Sequence, residues 1–107
     1  MANHRVTVVA RVKARKGMEK KVKEDLLSLV GPTRSENGCI NYDLHQSADD
    51  PCLFMFYENW KTMKSLDRHL EMPYIKASMD RMKKVLVGPA QLTLWVMVSP
   101  RDNEGGK

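Results

Sequence analysis

The sequence predicts an α+β domain of the ferredoxin-like type. Its βαββαβ elements should form an antiparallel sheet with helices on one face, paired with a second copy as a dimeric α+β barrel. Three observations predict this. Four segments show strand-like alternation or runs of aromatic and β-branched residues,. The segments between the first and second and between the third and fourth repeat apolar residues at helical spacing,. The third and fourth strands are apolar on both sides, and helices are available to cover only one,.

Arg5 to Lys13 alternates, with Val6, Val8, Ala10 and Val12 on one side, which is the period of a half-buried strand. After Gly17, residues Met18, Val22, Leu26, Leu29 and Val30 recur at spacings of mostly three and four, with Lys and Glu opposite,. Gly31-Pro32 bends or interrupts this helix, because Pro cannot donate to the ladder,. Asn37-Gly38 closes the segment, and Cys39 to Gln46 is the second strand,. Ala48-Asp49-Asp50-Pro51 is a turn-rich link to the third strand, Cys52 to Trp60,. A helix starts near Thr62, whose hydroxyl can cap it, and Met63, Leu66 and Leu70 form its stripe with His69 beside them. Pro73 ends it and opens a further helix on which Ile75, Met79, Met82 and Leu86 share one face,. Gly88-Pro89 stops that helix, and Gln91 to Ser99 is the last strand. Residues 1–100 then form a single domain, and the tail from Arg101 to Lys107 reads as disordered,.

The two-sided strands predict the homodimer. The third places Phe54 and Phe56 on one side and Leu53, Met55 and Tyr57 on the other. The last places Leu92, Leu94, Val96 and Val98 against Trp95 and Met97. Sheet packed on sheet covers the apolar face that the helices leave open.

Composition narrows the function classes. Hydrophobic residues make up 42% and charged residues 29% of the 107, as in ordinary globular proteins, and the length allows one core. No apolar run reaches the length of a membrane span, and the N-terminus lacks the pattern of a secretory signal. Cys39 and Cys52 are too few for a disulfide framework or a zinc ribbon,. A cytoplasmic protein with reduced thiols and no membrane partner is expected. The net charge is +5, but the basic residues spread over helix faces opposite the apolar stripes, so no nucleic-acid partner is expected. His4 and His45 stand apart from His69 with no acidic residue at ligand spacing, so no metal is expected,. No Gly-rich loop follows a strand, so no dinucleotide cofactor is expected either.

The chemistry concentrates at one strand-to-helix corner. Phe56, Tyr57, Glu58 and Trp60 end the third strand, and His69 lies on the next helix. Aromatic plates, a carboxylate and an imidazole there suit a flat, ionisable organic substrate: something to stack on and something to move a proton.

These residues also resemble a known family. Glu58-Asn59-Trp60, His69-Leu70-Glu71-Met72-Pro73, Lys76, and the segment Pro32 to Tyr42 with Glu36-Asn37-Gly38-Cys39 inside it resemble the antibiotic biosynthesis monooxygenase domain. Within that family they resemble the bacterial quinol monooxygenase-like proteins, and the resemblance runs from about Val6 to Met97. It implies a dimeric barrel with one pocket per subunit between sheet and helices. It implies oxidation of a phenolic or quinol substrate by molecular oxygen without metal, flavin or haem. It also implies that Trp60 lies in the pocket and that His69 belongs to the site. Phe56 departs from polyketide-oxidising members, which have Asn four residues before the Trp; Tyr57 matches them. Isomerases of small phosphorylated diketones share the fold and fit Tyr57, Glu58 and His69 equally well. Haem-degrading relatives carry their ligating His on a later helical turn, and Ser78 to Met82 contains none.

Oxygenation without a cofactor needs an electron-rich anion. His69 is one candidate base, since imidazole titrates near neutral pH. Glu58 either orients that imidazole or is itself the base, if burial raises its pKa. Trp60 and Tyr57 offer stacking faces, and Phe56 completes the expected substrate-binding set. The same parts serve an enol–keto isomerisation. Two non-enzymatic readings remain. RNA-recognition domains share the element order, although Cys52 to Tyr57 lacks their Gly and basic start,; the other is a binding module without turnover.

Overall fold

The computed structural model describes residues 4–100, so the expected tail at 101–107 lies outside the described residues. The elements are β1 (Val6–Lys13), α1 (Glu19–Ser28), α2 (Val30–Arg34), β2 (Cys39–Gln46), β3 (Leu53–Trp60), α3 (Met63–Leu70), α4 (Pro73–Met82) and β4 (Gln91–Trp95). The strands form one sheet in the order β2-β3-β1-β4, and every neighbouring pair is antiparallel. This is the ferredoxin-like topology that the element order predicts.

The register decides which side chains meet. Val8 lies opposite Glu58 and Leu94, and Ala10 lies opposite Phe56 and Leu92. On the far side of β3, Tyr42 faces Glu58 and Leu44 faces Phe56. Successive side chains of a strand point to opposite faces. One face therefore presents Val6, Val8, Ala10, Val12, Tyr42, Phe54, Phe56, Glu58 and Trp60, all buried, against Val22, Leu26, Leu29, Leu66, Ile75 and Met82 of the helices. The other presents Val9, Leu53 and Met55, each half-buried, with Tyr57 and Trp95 exposed. The sheet is apolar on both faces, and the chain's own helices cover one.

Three boundaries differ from the sequence reading. The first helical segment breaks at Leu29, before Gly31-Pro32, and restarts as α2. Pro32 is then in the first turn of α2, where amides have no intrahelical partner, so its missing N–H costs little. The α4 helix ends at Met82, and Leu86 leaves it to pair with Ala14 in an isolated antiparallel bridge. Ser78 instead joins Ile75 and Met82 on the buried face. β4 stops at Trp95 because Trp95 pairs with Thr7, and β1 begins only one residue earlier. Val96 and Val98 run past the end of the partner strand and are exposed.

Gly38 is required twice. Its φ is +92°, a backbone conformation that L side chains rarely adopt,. A Cβ built on it would also stand 2.5 Å from Ser65 Cβ. The turn entering β2 thus presses directly on the first turn of α3. Gly38→Ala is expected to destabilise the protein by roughly 2 kcal/mol or more, from backbone strain plus overpacking. A urea titration measures it, and a loss below about 0.5 kcal/mol would mean that the two elements separate at little cost.

Candidate active site

The site lies between β3 and α3. Alternation along β3 sends Phe56, Glu58 and Trp60 inward together. The helix α3 begins at a true cap: the Thr62 hydroxyl accepts a hydrogen bond from the Ser65 amide at 3.1 Å. That start sets the helical phase so that Ser65, Leu66 and His69 face the sheet. His69 is 3% exposed, and its ring lies 4.7 Å from that of Trp60 and edge-on to Tyr42 at 5.4 Å. Tyr42 in turn stacks on Phe56 at 4.4 Å.

A cavity of about 80 Å³ opens in front of these groups, several times the roughly 10–15 Å³ that one water needs. Phe56, Glu58, His69 and Tyr42 line it, and most of the remaining wall is apolar, including Ala10, Leu26, Ile75 and Met82. Met79 and Leu92 also line it while being 46% and 38% exposed, which places the mouth between α4 and β4. Among the described residues, no Lys or Arg belongs to the lining.

The expected groups divide. His69, Glu58 and Phe56 share the cavity. Trp60 does not wall it. It is wholly buried at the end of β3, and its indole Nε1 donates to Glu58 Oε1 at 2.8 Å. Tyr57 is on the opposite face of the sheet, 42% exposed, because a strand turns neighbouring residues in opposite directions,. That period was already visible in the sequence and separates Tyr57 from Glu58.

Glu58 does not meet His69 by hydrogen bond either. The carboxylate on the imidazole is Glu36, whose Oε2 is 2.9 Å from His69 Nδ1. Tyr74 donates its hydroxyl to the same Glu36 oxygen, and the Thr33 hydroxyl lies 3.2 Å from that of Tyr74. Among the described residues, Nε2 of His69 has no hydrogen-bond partner. Tyr42, Glu36 and Tyr74 were not singled out as site residues in the sequence. Glu36 and Tyr74 are 33 and 38 residues from their partners in the chain, and no local pattern links such positions.

Burial pushes the Glu58 carboxyl up from its ordinary 4.5 to about 7. The Trp60 hydrogen bond pulls it down and the nearby Glu36 pushes it up, but desolvation dominates,. Glu58 therefore exchanges a proton near neutral pH. Burial also lifts the Tyr42 phenol well above its usual range and the Cys39 thiol to about 11, so Cys39 is no thiolate nucleophile at neutral pH. Cys39 and Cys52 are both free. No group of three or more His, Cys, Asp or Glu that could hold a metal ion exists among the described residues.

The raised carboxyl predicts a pH dependence. Below pH 4.5 Glu58 is neutral both folded and unfolded. Between 4.5 and about 7 the unfolded chain releases the proton while the folded one keeps it. Stability is thus fully present below 4.5 and falls as pH rises through about 7, by on the order of 3 kcal/mol. Glu58→Gln keeps an acceptor for Trp60 and removes the ionisation. The variant should match the parent at pH 4 and exceed it by about 1–3 kcal/mol at pH 8, read by urea unfolding. An equal difference at both pH values would mean that Glu58 titrates normally.

Comparison with known proteins agrees with this fold. A Synechocystis protein (sll1783) is 30% identical over 77 residues, 68% of this chain, and the chain spans 52% of that relative's length. The Mycobacterium tuberculosis protein named "Putative monooxygenase Rv0793" is 32% identical over 89 residues, 83% of this chain and 87% of that one. Its solved structure superposes with a TM-score of 0.84, 26% identity and coverage of 92% and 99%. The structure of PA3566 from Pseudomonas aeruginosa gives 0.83 at 27% identity, covering 92% of this chain and 99% of that one. The family model described as "Antibiotic biosynthesis monooxygenase" matches residues 5–81, which carry Glu36, Glu58, Trp60 and His69. The chain belongs to the antibiotic biosynthesis monooxygenase family.

Proposed function

We propose that the chain is a cofactor-free monooxygenase that oxidises a quinol or polyhydroxylated aromatic with molecular oxygen. One observation carries the reading: a buried imidazole, backed by a carboxylate, faces an apolar cavity that a second, near-neutral carboxyl also lines. Phe56 and Tyr42 supply the aromatic wall.

In this mechanism His69 Nε2 takes the proton of a substrate hydroxyl. The resulting anion passes one electron to oxygen, and the radical and superoxide recombine into a carbon–oxygen bond. Glu58, protonated part of the time at neutral pH, returns a proton to the peroxide. The O–O bond then breaks, the ring carbon loses its hydrogen, and water leaves. The products are a hydroxylated quinone and water, which balance the quinol and oxygen consumed. The apolar walls strengthen each charge interaction and exclude water from the anion.

The lining lacks a Lys or Arg to meet a phosphate, which weighs against a phosphorylated diketone as substrate. Two free thiols fit a reducing compartment such as the cytoplasm,, and no helix among the described residues is long and apolar enough to cross a membrane.

The test is oxygen uptake with a panel of quinols, with and without chelator. His69→Ala should lower turnover about 10²–10⁴-fold, the usual contribution of a general base. Uptake unaffected by His69→Ala would remove His69 from the mechanism. Isomerisation of a diketone under anaerobic conditions, without any quinol oxidation, would replace the oxygenase reading by the isomerase one.

We also propose that a second copy covers the open sheet face, where Tyr57 and Trp95 are exposed beside Val9, Leu53 and Met55. Burial of the roughly 1,600 Å² typical of stable interfaces is expected. Sedimentation should show a dimer at micromolar concentration, and a monomer there would refute it. Salt-sensitive RNA binding by this face would instead favour the recognition-module alternative.

A further inference from the structure

We propose that Glu36, fastened by Tyr74, is the positioning residue of the site: it holds the His69 ring with its proton on Nδ1 and leaves the Nε2 lone pair to the cavity. The inference rests on the reading of His69 as the base. It concerns the free protein, however, and is observable without any substrate.

The direction of every proton in the cluster follows from what each group can give. Tyr74 has one hydroxyl proton and donates it to Glu36 Oε2. The Thr33 hydroxyl, 3.2 Å from the Tyr74 oxygen, must therefore donate to Tyr74. Glu36 Oε2 receives both Tyr74 and His69 Nδ1. A carboxylate oxygen with two donors is an acceptor, so Nδ1 carries a proton. A neutral imidazole has only one, and Nε2 is then the acceptor. A histidine left to water prefers the opposite tautomer, with the proton on Nε2, and so could not take a proton there.

The surroundings leave Glu36 without a rival for this role. Trp60 lies against the ring at a tilt of 37° and spends its only donor on Glu58. Tyr42 meets the ring edge-on. The Glu36 side chain is 8% exposed and the His69 side chain 3%, so water competes little for either. When Nε2 accepts the substrate's proton, the ring becomes a cation already 2.9 Å from a buried anion. Without that anion the new charge would be buried unpaired, at high cost.

The three anchors come from different elements. Glu36 precedes the Gly38 turn, Thr33 is on α2, and Tyr74 is on the first turn of α4. Pro73 at the first position of α4 fixes the chain one residue before Tyr74,. The imidazole is thus held by the packing of several elements rather than by its own helix.

The test is nitrogen-15 NMR of histidine-labelled protein at a pH where the rings are neutral. The exposed His4 serves as the internal reference; the Nδ1 of His45 is 3.1 Å from the Asp43 carbonyl and donates to it. The parent protein should show the Nδ1–H tautomer for His69. Glu36→Leu should turn it to Nε2–H, and Glu36→Gln, which keeps an acceptor oxygen, should retain Nδ1–H. Far-ultraviolet circular dichroism establishes that each variant is folded. A parent spectrum with the proton on Nε2 overturns the proposal even if no variant folds. So does a folded Glu36→Leu protein that keeps Nδ1–H. In turnover, Glu36→Leu should approach the roughly 10²–10⁴-fold loss of a missing base, in kcat rather than KM, with Glu36→Gln largely restored. An Nδ1–H tautomer in a protein that oxidises no quinol would leave the positioning role standing and refute the substrate reading alone.

Discussion

A histidine removed from water needs a partner for its inner nitrogen, and the contact of Glu36 with His69 supplies it. The pair joins α3 to the turn before β2, and Tyr74 joins both to α4. Much of the local geometry is arranged around that contact. Gly38 adopts a left-handed backbone and leaves no room for a side chain, so that the turn carrying Glu36 can approach Ser65. Thr62 sets the phase of α3 so that His69 points inward. An imidazole with one nitrogen tied and the other open is suited to proton transfer; tied at neither, its ring would be free to rotate.

Two carboxylates close to one another then acquire different tasks. Glu36 has two donors on one oxygen. Glu58 has a single donor, the Trp60 indole, and apolar walls otherwise. Desolvation keeps Glu58 protonated to about pH 7, whereas Glu36 holds the His69 imidazole. Environment rather than residue type separates the roles. The fold shared with its relatives contributes the architecture for this, a sheet with one helix-covered face. The residues that line the cavity decide what enters it. In this chain they present mostly aromatic and aliphatic surface around Glu58 and His69, with no Lys or Arg among the described lining residues.

Much of the fold was legible because strand and helix periods are local. Val6, Val8, Ala10 and Val12 alternate on paper as they do in β1, and the Thr62 cap and the Pro73 break occur where the residue types place them. The misplaced ends have tertiary causes. β4 is short because β1 extends only one residue, Val6, beyond the Thr7–Trp95 pair. Leu86 continues a helical spacing by number but is drawn off to Ala14. Within the site, His69, Glu58 and Phe56 were legible as a cluster because they flank one strand-to-helix corner. Tyr57 was grouped with them by adjacency in sequence, against the period of the strand that carries it. Trp60 was expected to face a ligand, and it backs Glu58 instead.

The sequence by itself determined the element order, the two apolar faces of the sheet, the family, and the presence of an imidazole and a carboxylate near one corner. Each depends on spacing over a few residues or on motifs that remain together along the chain. Only the tertiary structure decided which carboxylate meets the imidazole. Glu58 is 11 positions from His69 by number, and Glu36 is 33 positions away. The sheet points Glu58 at Trp60, and the turn at Gly38 delivers Glu36 to Nδ1. Hydrogen bonds are made at about 3 Å in space, and that distance is set by packing rather than by separation along the chain.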